Sequence, residues 1–129
     1  MKLIGFCRIA LLLAFISLSP QLLAARELTS NEKKVISDAV KEKLIESDSA
    51  SFKWLEITEK QPQVYCGVVN STDVFDKHVS DMPYEAALVW DKSLLREATI
   101  ILIGDADWSS IITKAILRAC SQKGYNLAH

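Results

Sequence analysis

The spacing of apolar residues predicts a helix near the start of the region 26–129. The segment Thr29-Ser30-Asn31-Glu32 has the pattern of a capping box, in which the Thr hydroxyl and the Glu carboxylate each satisfy a free backbone N–H of the first turn. Apolar residues then recur at helical spacing and form one stripe, which comprises Val35, Ile36, Ala39, Val40, Leu44 and Ile45. We therefore expect a helix that continues to about residue 45.

A second stripe predicts a helix near the end of the chain. It comprises Ile111, Ile112, Ala115, Ile116, Ala119 and Cys120. Asp107 precedes this stripe and is predicted to cap the helix. Gly124 fits the position just past the end, where a left-handed conformation is needed. We expect Cys120 to lie on the buried side of this helix.

Between the two helices, four segments have the composition of β-strands. They span residues 52–58, 64–69, 84–90 and 98–103. Residues 100–103 are apolar on both faces, which predicts a central position in the sheet. The polar segment 71–83 is predicted to be a long loop. The short connections favour an α+β fold with an N-terminal helix, a four-stranded mainly antiparallel sheet, and a C-terminal helix packed on the same face as the first.

The first 25 residues have the pattern of a cleaved signal peptide. Lys2 and Arg8 give a short positive segment, about ten nearly unbroken apolar residues follow, and Ala24-Ala25 supply the small residues that a signal peptidase needs. A transmembrane anchor needs about 20 apolar residues, and Pro20-Gln21 interrupt the run too early. We therefore expect cleavage after Ala24 or Ala25. Residues 26–129 are then expected to form a single domain in the periplasm, with no membrane span.

Separating this signal changes the charge balance. The whole chain has 15 basic and 16 acidic residues and a net charge of −1. Without Lys2 and Arg8, 13 basic residues face the same 16 acids, and the net charge becomes −3. Because a general nucleic-acid binder needs a basic face, this balance argues against nucleic acid as a partner.

The cysteine count also changes with the signal. Cys7 leaves with it, and two cysteines in an exported domain favour a Cys66–Cys120 disulfide. That bridge would close a loop of about 54 residues and stabilise the fold by about 4 kcal/mol. The alternatives are a reactive thiol or a pair of metal ligands. A CxxC neighbour or a nearby His would favour a reactive thiol or a metal site. Neither cysteine has such a neighbour.

Two groups of acids are weak candidates for a metal site. Asp73, Asp76, His78 and Asp81 cluster within nine residues, but their spacing matches no recognised metal loop. Asp105 and Asp107 form a D-x-D after an apolar strand, but a turn and a helix cap explain them. A nucleophilic triad would need a base, and after residue 25 the chain has only His78 and His129. We therefore expect no enzyme activity, no cofactor and no resident metal.

The sequence also indicates a protein partner. Trp54 and Trp90 fall in predicted strands, whereas Trp108 lies near the start of the last helix and is the tryptophan expected to be exposed. Phe75 and His78 lie in the predicted loop. Trp108, Phe75 and His78 are therefore the candidate interaction residues.

Two resemblances bear on function. The segment Asp48-Ser49-Ala50-Ser51-Phe52, the strand Tyr65-Cys66-Gly67-Val68-Val69-Asn70 and Cys120 resemble small periplasmic proteins of proteobacteria, which pair such a segment with a Y-C-G-x-V-N strand and a C-terminal cysteine. In those proteins the Asn is usually followed by a Gly-rich aromatic stretch, whereas residues 71–83 here are acidic. In length, signal and general character the chain also resembles secreted effectors, the substrates of type IV secretion systems of intracellular bacterial pathogens.

The second resemblance implies export to the periplasm and delivery into a host cell to interfere with vacuole maturation. The leading hypothesis is an exported, non-enzymatic interaction protein whose partner is the secretion machinery or a host protein. A periplasmic inhibitor or immunity protein, acting through residues 71–83, is the first alternative. A metal-dependent hydrolase that uses Asp73, Asp76, His78 and Asp81 is the second.

Overall fold

A capping box begins the first helix, α1 (Ser30–Lys41), in the computed structural model, which describes residues 25–72 and 79–127. The Thr29 hydroxyl accepts a hydrogen bond from the Glu32 backbone N–H at 3.1 Å, and the Glu32 carboxylate accepts one from the Thr29 N–H at 2.9 Å. Arg26 donates to the same carboxylate at 2.9 Å. Burial alone raises the pKa of Glu32, but the hydrogen bonds from Arg26 and Thr29 outweigh burial and lower it. The predicted start of α1 is confirmed.

Helix α1 ends earlier than its apolar stripe suggests. The backbone N–H groups of Lys43 and Leu44 bond to the carbonyls three residues before them, which tightens the last turn and stops the helix. Leu44 still packs against the core, but Ile45 is 67% exposed. The prediction that Ile45 belongs to the buried stripe is wrong.

The four strands form an antiparallel sheet in chain order. A short 3₁₀-helix (Ser47–Ser49) leads into β1 (Ser51–Lys53), which is followed by β2 (Val64–Thr72), β3 (Val79–Asp91) and β4 (Leu94–Ile103). This arrangement confirms the predicted α+β fold. Several strand boundaries were predicted wrongly, and β4 begins at Leu94 rather than at residue 98. The first strand stops at Lys53, and most of the expected loop at 71–83 belongs to β2 and β3.

The position of β4 differs from the prediction for residues 100–103. Strands β2 and β3 are the central pair, and β4 lies at the edge of the sheet. Ile101 and Leu102 are exposed rather than buried. Two irregularities in the β3–β4 register, one of them between Glu85 and Ala86, interrupt the alternation that would have buried every second residue. The prediction of a central strand is wrong.

The last helix, α2 (Ile111–Gln122), is capped by Ser110 and not by Asp107. The Ser110 hydroxyl accepts from the Thr113 N–H at 3.2 Å. Thr113, Ile116 and Cys120 are its buried residues. Gly124 has a φ of 89°, which confirms the predicted left-handed position after the helix.

The two helices cover opposite faces of the sheet. Tyr65 and Cys66 are consecutive in β2, so their side chains point to opposite faces. Cys66 is bonded to Cys120 of α2. Tyr65 packs on Trp54, and the ammonium group of Lys33 in α1 lies 5.9 Å from the Trp54 ring centroid. The prediction that both helices pack on one face is therefore wrong, and both faces of β2 are buried.

Candidate functional site

Asp81 is the only one of the four predicted metal ligands that the structure describes. It lies in β3 opposite Asn70, whose amide donates to Oδ1 at 2.9 Å. The ammonium group of Lys53 lies 2.6 Å from Oδ2. Trp108 donates its indole N–H to the Asp81 carbonyl at 3.0 Å. Strand neighbours thus engage both carboxylate oxygens of Asp81, while Asp73, Asp76 and His78 lie outside the described residues.

The D-x-D pair holds the turn between β4 and α2. The Asp105 carboxylate accepts from the Asp107 N–H at 3.0 Å and from the Thr113 hydroxyl at 3.3 Å. The Asp107 carboxylate accepts from the hydroxyl and the backbone N–H of Ser109. Both hydrogen bonds lower the pKa of Asp107, and the bond from the Ser109 hydroxyl has the larger effect. As predicted, Asp105 and Asp107 stabilise a turn and the approach to a helix. The cap of α2, however, is Ser110 and not Asp107.

The three tryptophans are all half-buried. Trp54 stacks on Phe52 with ring centroids 5.1 Å apart, and Trp90 donates its indole N–H to the Pro62 carbonyl at 2.8 Å. Trp108 packs against the core and is held to β3 through Asp81. Trp108 is thus anchored by the fold and is not a freely exposed side chain. Phe75 and His78, the other predicted interaction residues, lie outside the described residues.

A polar groove of about 480 Å³ lies between residues 58–64 and the end of α2. The glutamines Gln61, Gln63 and Gln122 line it together with Glu59 and Lys123. Tyr125 also lines the groove, but its hydroxyl donates to the Val64 carbonyl at 2.8 Å, and burial raises its pKa to about 12. The groove therefore offers amide groups for hydrogen bonds, and its tyrosine is a poor base near neutral pH.

The most perturbed ionisable groups belong to an aromatic cluster in the core. Burial raises the pKa of Tyr65 and of Tyr84. The Tyr65 hydroxyl accepts from the Leu55 N–H at 2.7 Å and donates to the Leu55 carbonyl at 3.1 Å. The Tyr84 hydroxyl has no hydrogen-bond partner among the residues that the structure describes. Perturbed pKa values often mark functional sites, but these belong to tyrosines that are fully buried.

The predicted disulfide is present. Cys66 and Cys120 are bonded, with Cα atoms 6.0 Å apart, and both side chains are fully buried. Glu85 lies directly opposite Cys66 on β3 and is itself only 8% exposed. No sequence pattern predicts that this carboxylate lies beside the disulfide, because the β2–β3 register sets its position.

Four exposed aliphatic residues lie near the end of β4 and at the start of α2: Ile101, Leu102, Ile111 and Ile112. We call these four residues the β4–α2 surface. Ile111 is 87% exposed and Ile112 is 49% exposed. Gly104 lies against Thr113, since a Cβ on Gly104 would be 2.6 Å from the Thr113 hydroxyl oxygen. This contact places the end of β4 beside the start of α2. The apolar spacing predicts buried positions for all four residues, so the sequence alone does not indicate this surface.

No family model, curated protein or solved structure matched the chain. Within residues 25–72 and 79–127, neither α1 nor α2 has the length and apolarity that a membrane crossing requires.

Proposed function

We propose that the chain is an exported, non-enzymatic interaction protein that binds a protein partner through the β4–α2 surface. The observation that carries this proposal is the exposure of four isoleucine and leucine side chains in the last residues of β4 and the first residues of α2, two segments that meet at Gly104 and Thr113. Clustered exposed aliphatic residues are a feature of protein–protein contacts, in which an apolar centre is buried on association.

The position of these residues supports a binding role. Ile101 and Leu102 lie in an edge strand, and Ile111 begins a helix whose inner face is already filled by Thr113, Ile116 and Cys120. The fold therefore does not use the Ile111 side chain for its own packing. An edge strand with exposed aliphatic residues is also a hazard for aggregation, which a bound partner would remove.

Two features support export. The first is the signal-like segment 1–25, of which residues 1–24 lie outside the described residues. The second is the Cys66–Cys120 disulfide, which is compatible with an oxidising compartment such as the periplasm. The more specific proposal is delivery into a host cell by a type IV secretion system, through a periplasmic intermediate, to interfere with vacuole maturation. A reporter fused to the full chain should then enter host cells only when the secretion system is intact, and retention in the periplasm would contradict delivery.

Replacement of Ile111 by serine tests the binding surface. We expect Ile111→Ser to weaken partner binding at least tenfold, which corresponds to about 1.4 kcal/mol, because an apolar anchor is lost from the interface. The free energy of unfolding should change by less than about 0.5 kcal/mol, since the side chain is exposed in the free protein. The measurement is the amount of partner that tagged chains retain after crosslinking in the native cells.

Ile45→Ser is the matched control, because Ile45 is also exposed but follows α1. We expect it to retain the partner as the unsubstituted chain does. Equal retention by Ile111→Ser and the unsubstituted chain would refute the assignment of this surface.

A further inference from the structure

Three potential metal ligands meet at the disulfide. They belong to Cys66 of β2, Glu85 of β3 and Cys120 of α2. The two sulfur atoms and one carboxylate oxygen lie within 4.8 Å of one another. All three residues are buried. The group combines two soft sulfur ligands with one oxygen ligand, a set that suits zinc better than magnesium or calcium.

Glu85 is the unusual member of this group. A buried carboxylate is costly unless it is paired or hydrogen-bonded. Within the described part of the chain, no side chain donates a hydrogen bond to Glu85 or forms an ion pair with it. The carboxylate thus lies close to the two sulfur atoms, and its 8% exposure is the contact with solvent that stands in place of a protein partner among the described residues.

We propose that reduction of the Cys66–Cys120 disulfide creates a site for one zinc-like divalent cation, held by the two cysteine thiolates and the Glu85 carboxylate. A protein dithiol is the reductant. It gives two electrons and two protons to the disulfide, the S–S bond breaks, two thiols form, and the reductant closes its own disulfide. Cation binding then releases the two thiol protons to solvent, and the oxidation state of the cation does not change.

The geometry suits such a cation. Tetrahedral zinc with Zn–S bonds of ~2.3 Å and Zn–O bonds of ~2.0 Å holds its ligand atoms ~3.5–3.8 Å apart. The three ligand atoms already lie within 4.8 Å of one another. Rotation of the cysteine side chains can therefore open the site while β2, β3 and α2 stay in place. Three protein ligands leave the fourth position to a water molecule or to a small ligand.

The bound cation would replace one link between α2 and the sheet by another. In an oxidising compartment the disulfide holds α2 against β2. In a reducing one, coordination by residues of β2, β3 and α2 would hold the same three elements together. The site uses no residue of the β4–α2 surface, so it is tested independently of the proposed function.

Cobalt titration of the full chain tests this site. Co²⁺ substitutes for zinc, and thiolate coordination gives it intense charge-transfer absorption. The chain is reduced with a phosphine, which takes up water and becomes a phosphine oxide as the two thiols form. We expect the reduced chain to bind one Co²⁺ with thiolate absorption, Zn²⁺ to displace the cobalt, and the oxidised chain to show no thiolate absorption.

The Glu85→Gln variant distinguishes cobalt binding at this three-ligand site from cobalt binding by any two nearby thiols. It keeps the size of the side chain and removes the anionic oxygen, so we expect a loss of affinity of at least about tenfold. Glu97→Gln is the matched control, since Glu97 lies exposed on β4, and it should bind as the unsubstituted chain does. Unchanged affinity in Glu85→Gln would overturn the proposal. Absence of thiolate absorption in the reduced chain, or a reduced chain that circular dichroism shows to be unfolded with cobalt present, would also overturn it.

Discussion

Replacement of both Cys66 and Cys120 by alanine should lower the free energy of unfolding by about 4 kcal/mol. The bridge spans 54 residues, so it removes a large amount of conformational freedom from the unfolded chain. It also links α2 to β2, two elements that are far apart in sequence. Because domains of this size have a total stability of about 5–15 kcal/mol, the double variant should be close to unfolding at physiological temperature.

Urea unfolding of the oxidised chain and of the double variant measures this loss. The reduced, metal-free chain is the control for the packing of the sulfur atoms, because it keeps both side chains and lacks only the bond. We expect it to lose most of the same stability. A difference of less than about 1 kcal/mol between the oxidised chain and the double variant would contradict a stabilising role for the bridge.

Replacement of Gly67 by alanine should cost about 3 kcal/mol. An added Cβ would lie 2.6 Å from the Tyr84 hydroxyl oxygen and 2.8 Å from the ring carbon that carries it. Tyr84 is fully buried, and its ring packs near Tyr65 at a centroid distance of 6.3 Å. The ring therefore has little room to move away from an alanine. Thermal or urea unfolding of the Gly67→Ala chain measures the cost.

Tyr84→Phe is the rescue for this variant, because it removes the nearest clashing atom. Alone, it should leave stability unchanged or raise it slightly, since the buried hydroxyl has no hydrogen-bond partner among the described residues. Combined with Gly67→Ala, it should recover part of the loss. Tyr65→Phe is the contrasting control: it leaves both backbone groups of Leu55 without their partner and should cost about 1–3 kcal/mol. Equal losses for Gly67→Ala with and without Tyr84→Phe would contradict the steric explanation.

Local signals predicted the elements and their order well. The capping box at Thr29 and Glu32 forms both of its hydrogen bonds, and Gly124 adopts the left-handed conformation after α2. The disulfide follows from the export signal and the two remaining cysteines. Each of these features depends on residues close in sequence, or on a count, and so could be predicted without the tertiary arrangement.

Features that depend on tertiary neighbours were predicted poorly. An apolar run such as 100–103 looks the same in a central strand as in an edge strand whose aliphatic residues stay exposed. Ile111 fits the helical stripe of α2, yet it lies on the exposed side because Thr113, Ile116 and Cys120 fix which side faces the sheet. Periodicity gives the width of an apolar stripe, but it does not say which part of the stripe is covered.

The candidate functional sites also depend on tertiary neighbours and were predicted poorly. The acids singled out by spacing, Asp81, Asp105 and Asp107, accept hydrogen bonds that hold the fold together. Glu85 had no recognisable motif, and it reaches the disulfide through the β2–β3 register. The β4–α2 surface likewise arises from two segments that meet in the folded chain, where Gly104 lies against Thr113.

Site-specific photo-crosslinking from position 111 in intact cells tests whether a protein partner binds the β4–α2 surface. A photoreactive residue at 111 should give one discrete adduct, whereas the same residue at the exposed position 45 should give none. An excess of chain without the photoreactive residue should compete for the partner and suppress the adduct. The Ile45→Ser chain should compete equally well, whereas the Ile111→Ser chain should not. The absence of an adduct from position 111, or the same adducts from positions 111 and 45, would contradict partner binding at this surface.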